Sequence, residues 1–349
     1  MLHVLHVVGS PTDEFSARLS RLYAANCLTA TADPSRYTTT IAHVGPDGQW
    51  HFPVDLGAAA LAAAPPVPLA AALAHLSALV IDVAVPQMFC LPGMTTYRPL
   101  LDLLGIPFAG NTAAVMALAA DKALTRAVVA AAGVDVPPGR TVQPGDQPPL
   151  ALPVVVQPVD SDNSLATTLV RDPRDYEKAV RAAAAASSSG TAQVERYVEL
   201  GREVRCGVLE QDGQLVCLPL EEYAVDAAHP VRTFQDKLAT SADGGLRLVA
   251  KTPDKAWTVD ITDPVTDRVW QAARASHTAL GCRQYSLFDF RIDPQGRPWF
   301  LEASLYCSFA TTSVLTVMAH AAGVPLRDLF DLVLTNASAP TSTSHRLTG

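Results

Sequence analysis

An α/β fold that begins with an open α/β domain is what this sequence predicts, on three observations. Leu2–Val8 is an apolar run that stops at Gly9-Ser10-Pro11, as a buried parallel strand does. Phe15, Leu19, Leu22, Tyr23 and Cys27 then recur at helical spacing. Further strand and helix signals alternate along the first hundred or so residues, which implies parallel pairing with helical crossovers.

In order, Glu14–Leu28 is an amphipathic helix, Tyr37–Val44 a second strand, and Leu73–Val85 the end of a helix followed by a strand. Ligands of such sheets bind beyond the strand C-terminal ends, which singles out Gly9–Glu14 and Gln87–Gly93. Leu100–Leu104 is helical, Ile106–Gly110 a short strand and turn, and Thr112–Ala132 two helical segments around Asp121-Lys122. The Pro- and Gly-rich Val136–Pro149 reads as loop or linker. Val154–Val159 and Thr167–Val170 are strands about a polar loop, Asp175–Ala186 is a helix and Ala192–Tyr197 a strand. Arg202–Leu209 and Leu215–Pro219 form a hairpin about Asp212-Gly213, and Val265–Gly281 is a long amphipathic helix. A second hairpin turns at Asp293-Pro-Gln-Gly296, before a helix near Ser313–Ala322. Ala337–Gly349 is Ser/Thr-rich and is expected to fray.

The chemistry concentrates in that second hairpin, Leu287–Ser304. A turn centred between Asp289 and Glu302 folds two carboxylates toward each other, which suits a divalent cation carrying a polyphosphate. Magnesium keeps waters and phosphate oxygens in its octahedron, so one aspartate and one glutamate suffice. Taken alone, the stretch reads more readily as a surface hairpin with scattered acids.

Composition narrows the class. At 349 residues the chain can hold two or three domains. Its 49% hydrophobic and 17% charged residues are those of a globular protein. A net charge of -8, with no Lys/Arg-rich run, excludes a nucleic-acid surface. The six cysteines are scattered singly, as reduced thiols are, with no zinc-type spacing. No apolar run reaches the roughly 18 residues of a membrane span, and no signal-peptide core is present. A cytoplasmic protein without membrane or nucleic-acid partners is expected.

Several segments keep a common order and spacing: Gly105-Ile-Pro-Phe-Ala-Gly110, Ala120-Asp-Lys122, Pro153-Val-Val-Val, Val194-Glu195, Gly201-Arg-Glu203, Leu280-Gly-Cys282, Asp289 and Leu301-Glu302. From Val8 to about Phe330 the chain thereby resembles the ATP-grasp ligases, in the D-alanine–D-alanine ligase branch. The resemblance implies an ATP-grasp fold preceded by the open α/β domain. It places an N-terminal α/β domain at residues 1–113, a central ATP-grasp lobe at 114–199 and a C-terminal ATP-grasp and metal-binding lobe at 200–349. Gly9–Phe15, Pro86–Met94, Ser161–Leu165, Arg202–Gly207 and Leu305–Ala310 look closer to the branch that joins an amino acid such as serine or threonine to mycosporine-glycine. The other readings are a D-alanine–D-alanine or other dipeptide ligase, and a weakly active nucleotide-binding paralogue. Relatives are often dimers, so a homodimer is an expectation too.

The resemblance also implies residue roles. Lys122 meets the phosphates, and Lys237 closes over the terminal one. Glu195, with backbone at Val198, takes the adenine edge, and Glu203 accepts from the ribose hydroxyls. Asp289, Glu302 and Ser304 hold magnesium, two ions with ATP, although the family commonly has asparagine where Ser304 stands. Glu14 anchors an amine and Ser313 lies near the second substrate.

Two departures bear on nucleotide binding. The family's strand lysine is Gln157 here; at an effective dielectric near 20, a charge pair at about 4 Å is worth about 4 kcal/mol before desolvation. In the loop that follows, Asn163 and Ser164 remain as donors. The substrate half is rewritten as well. The oxyanion arginine of D-alanine ligases aligns with Leu287, and the loop histidine and acid that orient the first D-alanine align with Met88 and Gly93. Met88, Phe89 and Leu287 would suit a bulkier ring substrate, with Arg291 as the replacement cation if its strand is regular.

Overall fold

A computed structural model describes residues 1–160, 165–226, 230–231, 239–240, 246–247, 252 and 254–339. The chain divides into two compact units, Met1–Gly110 with Leu326–Gly349, and Asn111–Pro325.

The first unit runs β1 (Leu2–Gly9), α1 (Glu14–Thr31), β2 (Tyr37–Val44), β3 (Trp50–His51), α2 (Ala58–Ala63), α3 (Leu69–Ser77), β4 (Val83–Pro86), α4 (Leu91–Thr95) and α5 (Arg98–Leu103). Its sheet has the order β3-β2-β1-β4. β1 is parallel to both β2 and β4, and is buried from Val4 onward because strands flank it and helices cover it. Gly9 ends β1 at φ +103°, and a Cβ there would lie 2.1 Å from the Val44 carbonyl oxygen, so no other residue fits. Asp13 caps α1 by accepting from the Ser16 amide. The predicted strand at Ile106–Gly110 reduces to one parallel bridge between Ala84 and Phe108, since Pro107 lacks an amide to extend a ladder.

His6 is buried in this sheet, its Nδ1 2.8 Å from Gln87 Oε1, and burial lowers its pKa from 6.5 to about 4. The unfolded chain therefore takes up a proton between those values and the folded one does not, so stability falls as pH drops from 6.5 toward 4. Urea unfolding should show a loss on the order of 3 kcal/mol from this group. His6→Gln is expected to flatten that part of the pH profile; an unchanged profile would contradict a neutral buried imidazole.

The second unit begins with α6 (Ala113–Ala120) and α7 (Lys122–Ala131), with Asp121 capping α7 through the Leu124 amide. A four-stranded antiparallel sheet follows, in the order β5-β8-β6-β7: β5 (Gly139–Val142), β6 (Val154–Pro158), β7 (Thr168–Val170) and β8 (Ala192–Arg196), backed by α8 (Pro173–Ala185). Val154, Val156, Val180 and Val194 form its core. The stretch read as a linker, Val136–Pro149, thus contains β5. Flanking prolines hide so short a strand in sequence, and an edge position tolerates them.

Next come β9 (Arg202–Gln211), β10 (Gln214–Cys217), β11 (Glu221–Tyr223), β12 (Ala239–Thr240), β13 (Leu246–Arg247), β14 (Ala256–Thr258), α9 (Thr266–Leu280), β15 (Tyr285–Ile292), β16 (Pro298–Ala303) and α10 (Val314–Ala321). The larger sheet has the order β14-β11-β9-β15-β16, with β10 paired to β9. Its inner strand β15, between β9 and β16, is buried at all eight positions and holds Phe288 and Phe290 against Phe300 of β16. Finally α11 (Leu326–Ser338) groups with the first unit, where Phe330 meets the rings of His6 and Tyr37.

Candidate active site

A cavity in the second unit is lined by Lys122, Gln157, Glu195, Val198, Glu203, Asp289, Arg291 and Glu302, among others. Eight residues singled out from sequence therefore converge there, from one helix, two sheets and the segment after β8. Alternation along strands explains part of this. Asp289 and Arg291 are two apart on β15, whose pairing with β9 is unbroken, so they share a face. In β16 a register shift opposite Asp289/Phe290 lets the neighbours Leu301 and Glu302 both line the cavity.

Electrostatics organise the site: each of its four carboxylates faces a cation. Asp289 takes a bidentate pair from Arg205, Nε to Oδ1 at 2.5 Å and Nη2 to Oδ2 at 2.9 Å. Glu203 accepts from Arg291 Nη2 at 2.6 Å, and Arg291 also donates to the Pro230 carbonyl. Glu195 lies 2.7 Å from Arg126 Nη1 and accepts from Gln157 Nε2 at 3.1 Å. Burial pushes its carboxyl above the usual range, against the pull of Arg126 and Gln157. Glu302 stands 4.0 Å from Lys122 Nζ. Lys122 is the first residue of α7, where its backbone amide donates to the Val159 carbonyl at 2.9 Å.

Asp289 and Glu302 are Cα partners across the β15–β16 hairpin. This hard-oxygen pair suits magnesium, which completes its shell with water and phosphate oxygens. Among the described residues no cluster of three or more His, Cys, Asp and Glu side chains forms a fuller cage. Ser304 follows β16, its amide donating to the Leu287 carbonyl at 2.8 Å. Ser313 precedes α10, its Oγ 3.6 Å from Cys307 Sγ. In the first unit, Glu14 opens α1 and pairs with Arg21 at 2.6 Å. Asn163, Ser164 and Lys237 lie outside the described residues.

Two of the three expected apolar anchors are packed more tightly than a ligand-facing role needs, while Phe89 is half-buried against Tyr23. Met88 is 2% exposed in the core of the first unit, and Leu287 is buried in β15. A Cβ on Gly93 would fall 2.3 Å from Met88 Cβ, so Met88 takes the space that a side chain at 93 would need. Arg126 and Arg205 were missed in sequence. Signals existed for both: Arg126 is four residues from Lys122 on α7, and Arg205 is two from Glu203 on β9.

Gln157 offers a direct test. Gln157→Lys, placing a charge beside Glu195 in the cavity, is expected to tighten ATP binding about tenfold once desolvation is discounted. Calorimetry with ATP checks this; unchanged affinity would show that position 157 does not face the phosphates.

The fold and the paired acidic hairpin define an ATP-grasp type of protein. Residues 145–335 match the family described as "D-ala D-ala ligase C-terminus". The D-alanine–D-alanine ligase of Agrobacterium fabrum is 31% identical over 250 residues, 70% of this chain and 76% of its own length. That of an Anaeromyxobacter species is 30% identical over 246 residues, 68% and 74% of the two chains. Among solved structures, the VanG D-Ala:D-Ser ligase of Enterococcus faecalis superposes with a TM-score of 0.78 at 19% identity, covering 97% of this chain and 99% of that one. The Bacillus anthracis D-alanine–D-alanine ligase complexed with ATP gives 0.71 at 16%, covering 97% of each. The chain belongs to the D-alanine–D-alanine ligase family of ATP-dependent ligases.

Proposed function

We propose that the cavity binds magnesium–ATP and that the enzyme joins an amino acid such as serine or threonine to mycosporine-glycine. Lys122 and Gln157 would face the phosphates, Glu195 and the Val198 backbone the adenine, and Glu203 the ribose. Asp289 and Glu302 would hold magnesium, with Ser304 beside them; the metal supplies charge neutralisation at the transferring phosphoryl group. The terminal phosphoryl passes to an acceptor oxygen, leaving ADP. The amine nitrogen then attacks the carbon bearing that oxygen, and inorganic phosphate departs. The chain's contribution is positioning and electrostatics, without a covalent enzyme intermediate.

One observation carries the substrate assignment. The resemblance sets Leu287, Met88 and Gly93 where D-alanine ligases carry the oxyanion arginine and the D-alanine-orienting pair, and a Cβ at Gly93 would fall 2.3 Å from Met88 Cβ. Free D-alanine would lose both its orienting charge and its oxyanion partner. A second reading, D-alanine–D-alanine ligation, has the support of the curated relatives, which carry that activity at about 30% identity. Phosphate release separates the two. Release with mycosporine-glycine plus serine or threonine, and none with D-alanine alone, is expected. Release with D-alanine alone would establish the second reading. ATP binding without release on any amine would mean a nucleotide-binding paralogue.

A further inference from the structure

We infer that Arg205 is a positioning residue that reserves Asp289 for metal arriving with nucleotide, so that a bare divalent cation is kept out. The inference rests on the reading of the cavity as a magnesium–ATP site. Arg205 and Asp289 are Cα partners on β9 and β15, so the guanidinium lies across from the carboxylate in an unbroken ladder. Both Asp289 oxygens are taken, at 2.5 and 2.9 Å, the fork-on-carboxylate geometry that makes such pairs strong. Neither partner sees much water: the side chains are 12% and 4% exposed. Arg205 also lies over the Tyr223 ring, 5.4 Å to its centroid, which holds the guanidinium in place when its partner changes.

Charge balance then decides what can enter. Lys122 and Arg205 already neutralise Glu302 and Asp289. A bare divalent cation on these carboxylates would add two positive charges beside a buried guanidinium and an ammonium. Magnesium–ATP carries net negative charge, and its phosphate oxygens accept from a guanidinium as well as a carboxylate does. Arg205 can thus release Asp289 to the metal only when a polyphosphate is present to receive it. Metal binding becomes conditional on nucleotide.

The probe is Mn2+, whose free-ion electron paramagnetic resonance signal disappears on binding. The full-length wild type is expected to bind bare Mn2+ at least tenfold more weakly than Mn2+ with ATP, each titration read against a protein-free ATP control because ATP itself takes up Mn2+. Arg205→Met should bind Mn2+ alone at least tenfold more tightly than wild type, and Arg205→Lys should stay near wild type, since an ammonium still guards the carboxylate. Circular dichroism of each variant guards against misfolding. If Arg205→Met does not fold, Arg205→Gln, which keeps hydrogen-bonding capacity and removes the charge, takes its place with the same expected gain. Equal Mn2+ affinity in wild type with and without ATP, or no gain in a folded Arg205→Met, overturns the inference. Absence of Mn2+ binding even with ATP would instead overturn the underlying site assignment.

Discussion

Asp289→Asn is expected to lower kcat on the order of 10³-fold, the scale at which a preorganised charge is lost from a transferring group. The substitution keeps shape and removes charge. It also leaves the buried Arg205 opposite a neutral amide, so circular dichroism must show the variant folded before the fall in kcat is read. ADP formation followed across a magnesium titration checks it. The half-saturating magnesium concentration should rise along with the fall in kcat. Near-normal turnover would remove the hairpin acids from the mechanism.

Arg126→Ala is expected to cost about 3 kcal/mol of folding stability, because it takes the principal counter-charge from a buried carboxylate. Arg126 and Glu195 are each about 5% exposed, so solvent offers little relief. Glu195 would then titrate higher still, with Gln157 as its remaining neutral donor among the contacts described above. Urea unfolding reads the loss. The double variant Arg126→Met with Glu195→Gln should lose less than the two single changes together, since it removes both members of the pair. Additive losses would mean that the two side chains do not stabilise each other.

Much of the cavity was legible because its acids sit where local rules put them. The Asp293–Gly296 turn fixes a hairpin that brings Asp289 near Glu302, and a one-residue register shift sets them opposite each other. Period-two alternation joins Asp289 to Arg291, and Asp121 announces the start of α7 with Lys122 as its first residue. What failed was short or non-local. β5 is four residues long beside prolines, and β11 and β14 have three each, too few for a period to appear. The one-residue shift in β16 that turns Leu301 into the cavity depends on which strand lies opposite.

Local pattern by itself determined the order of strands and helices, the acidic hairpin and the lysine that opens α7, because each is written in neighbours a few residues apart. Which cation answers which carboxylate was decided only by tertiary structure. Arg205 meets Asp289 across 84 residues, and Arg291 meets Glu203 across 88. A buried charge takes whatever partner the strand register delivers, and register is fixed by the packing of whole sheets.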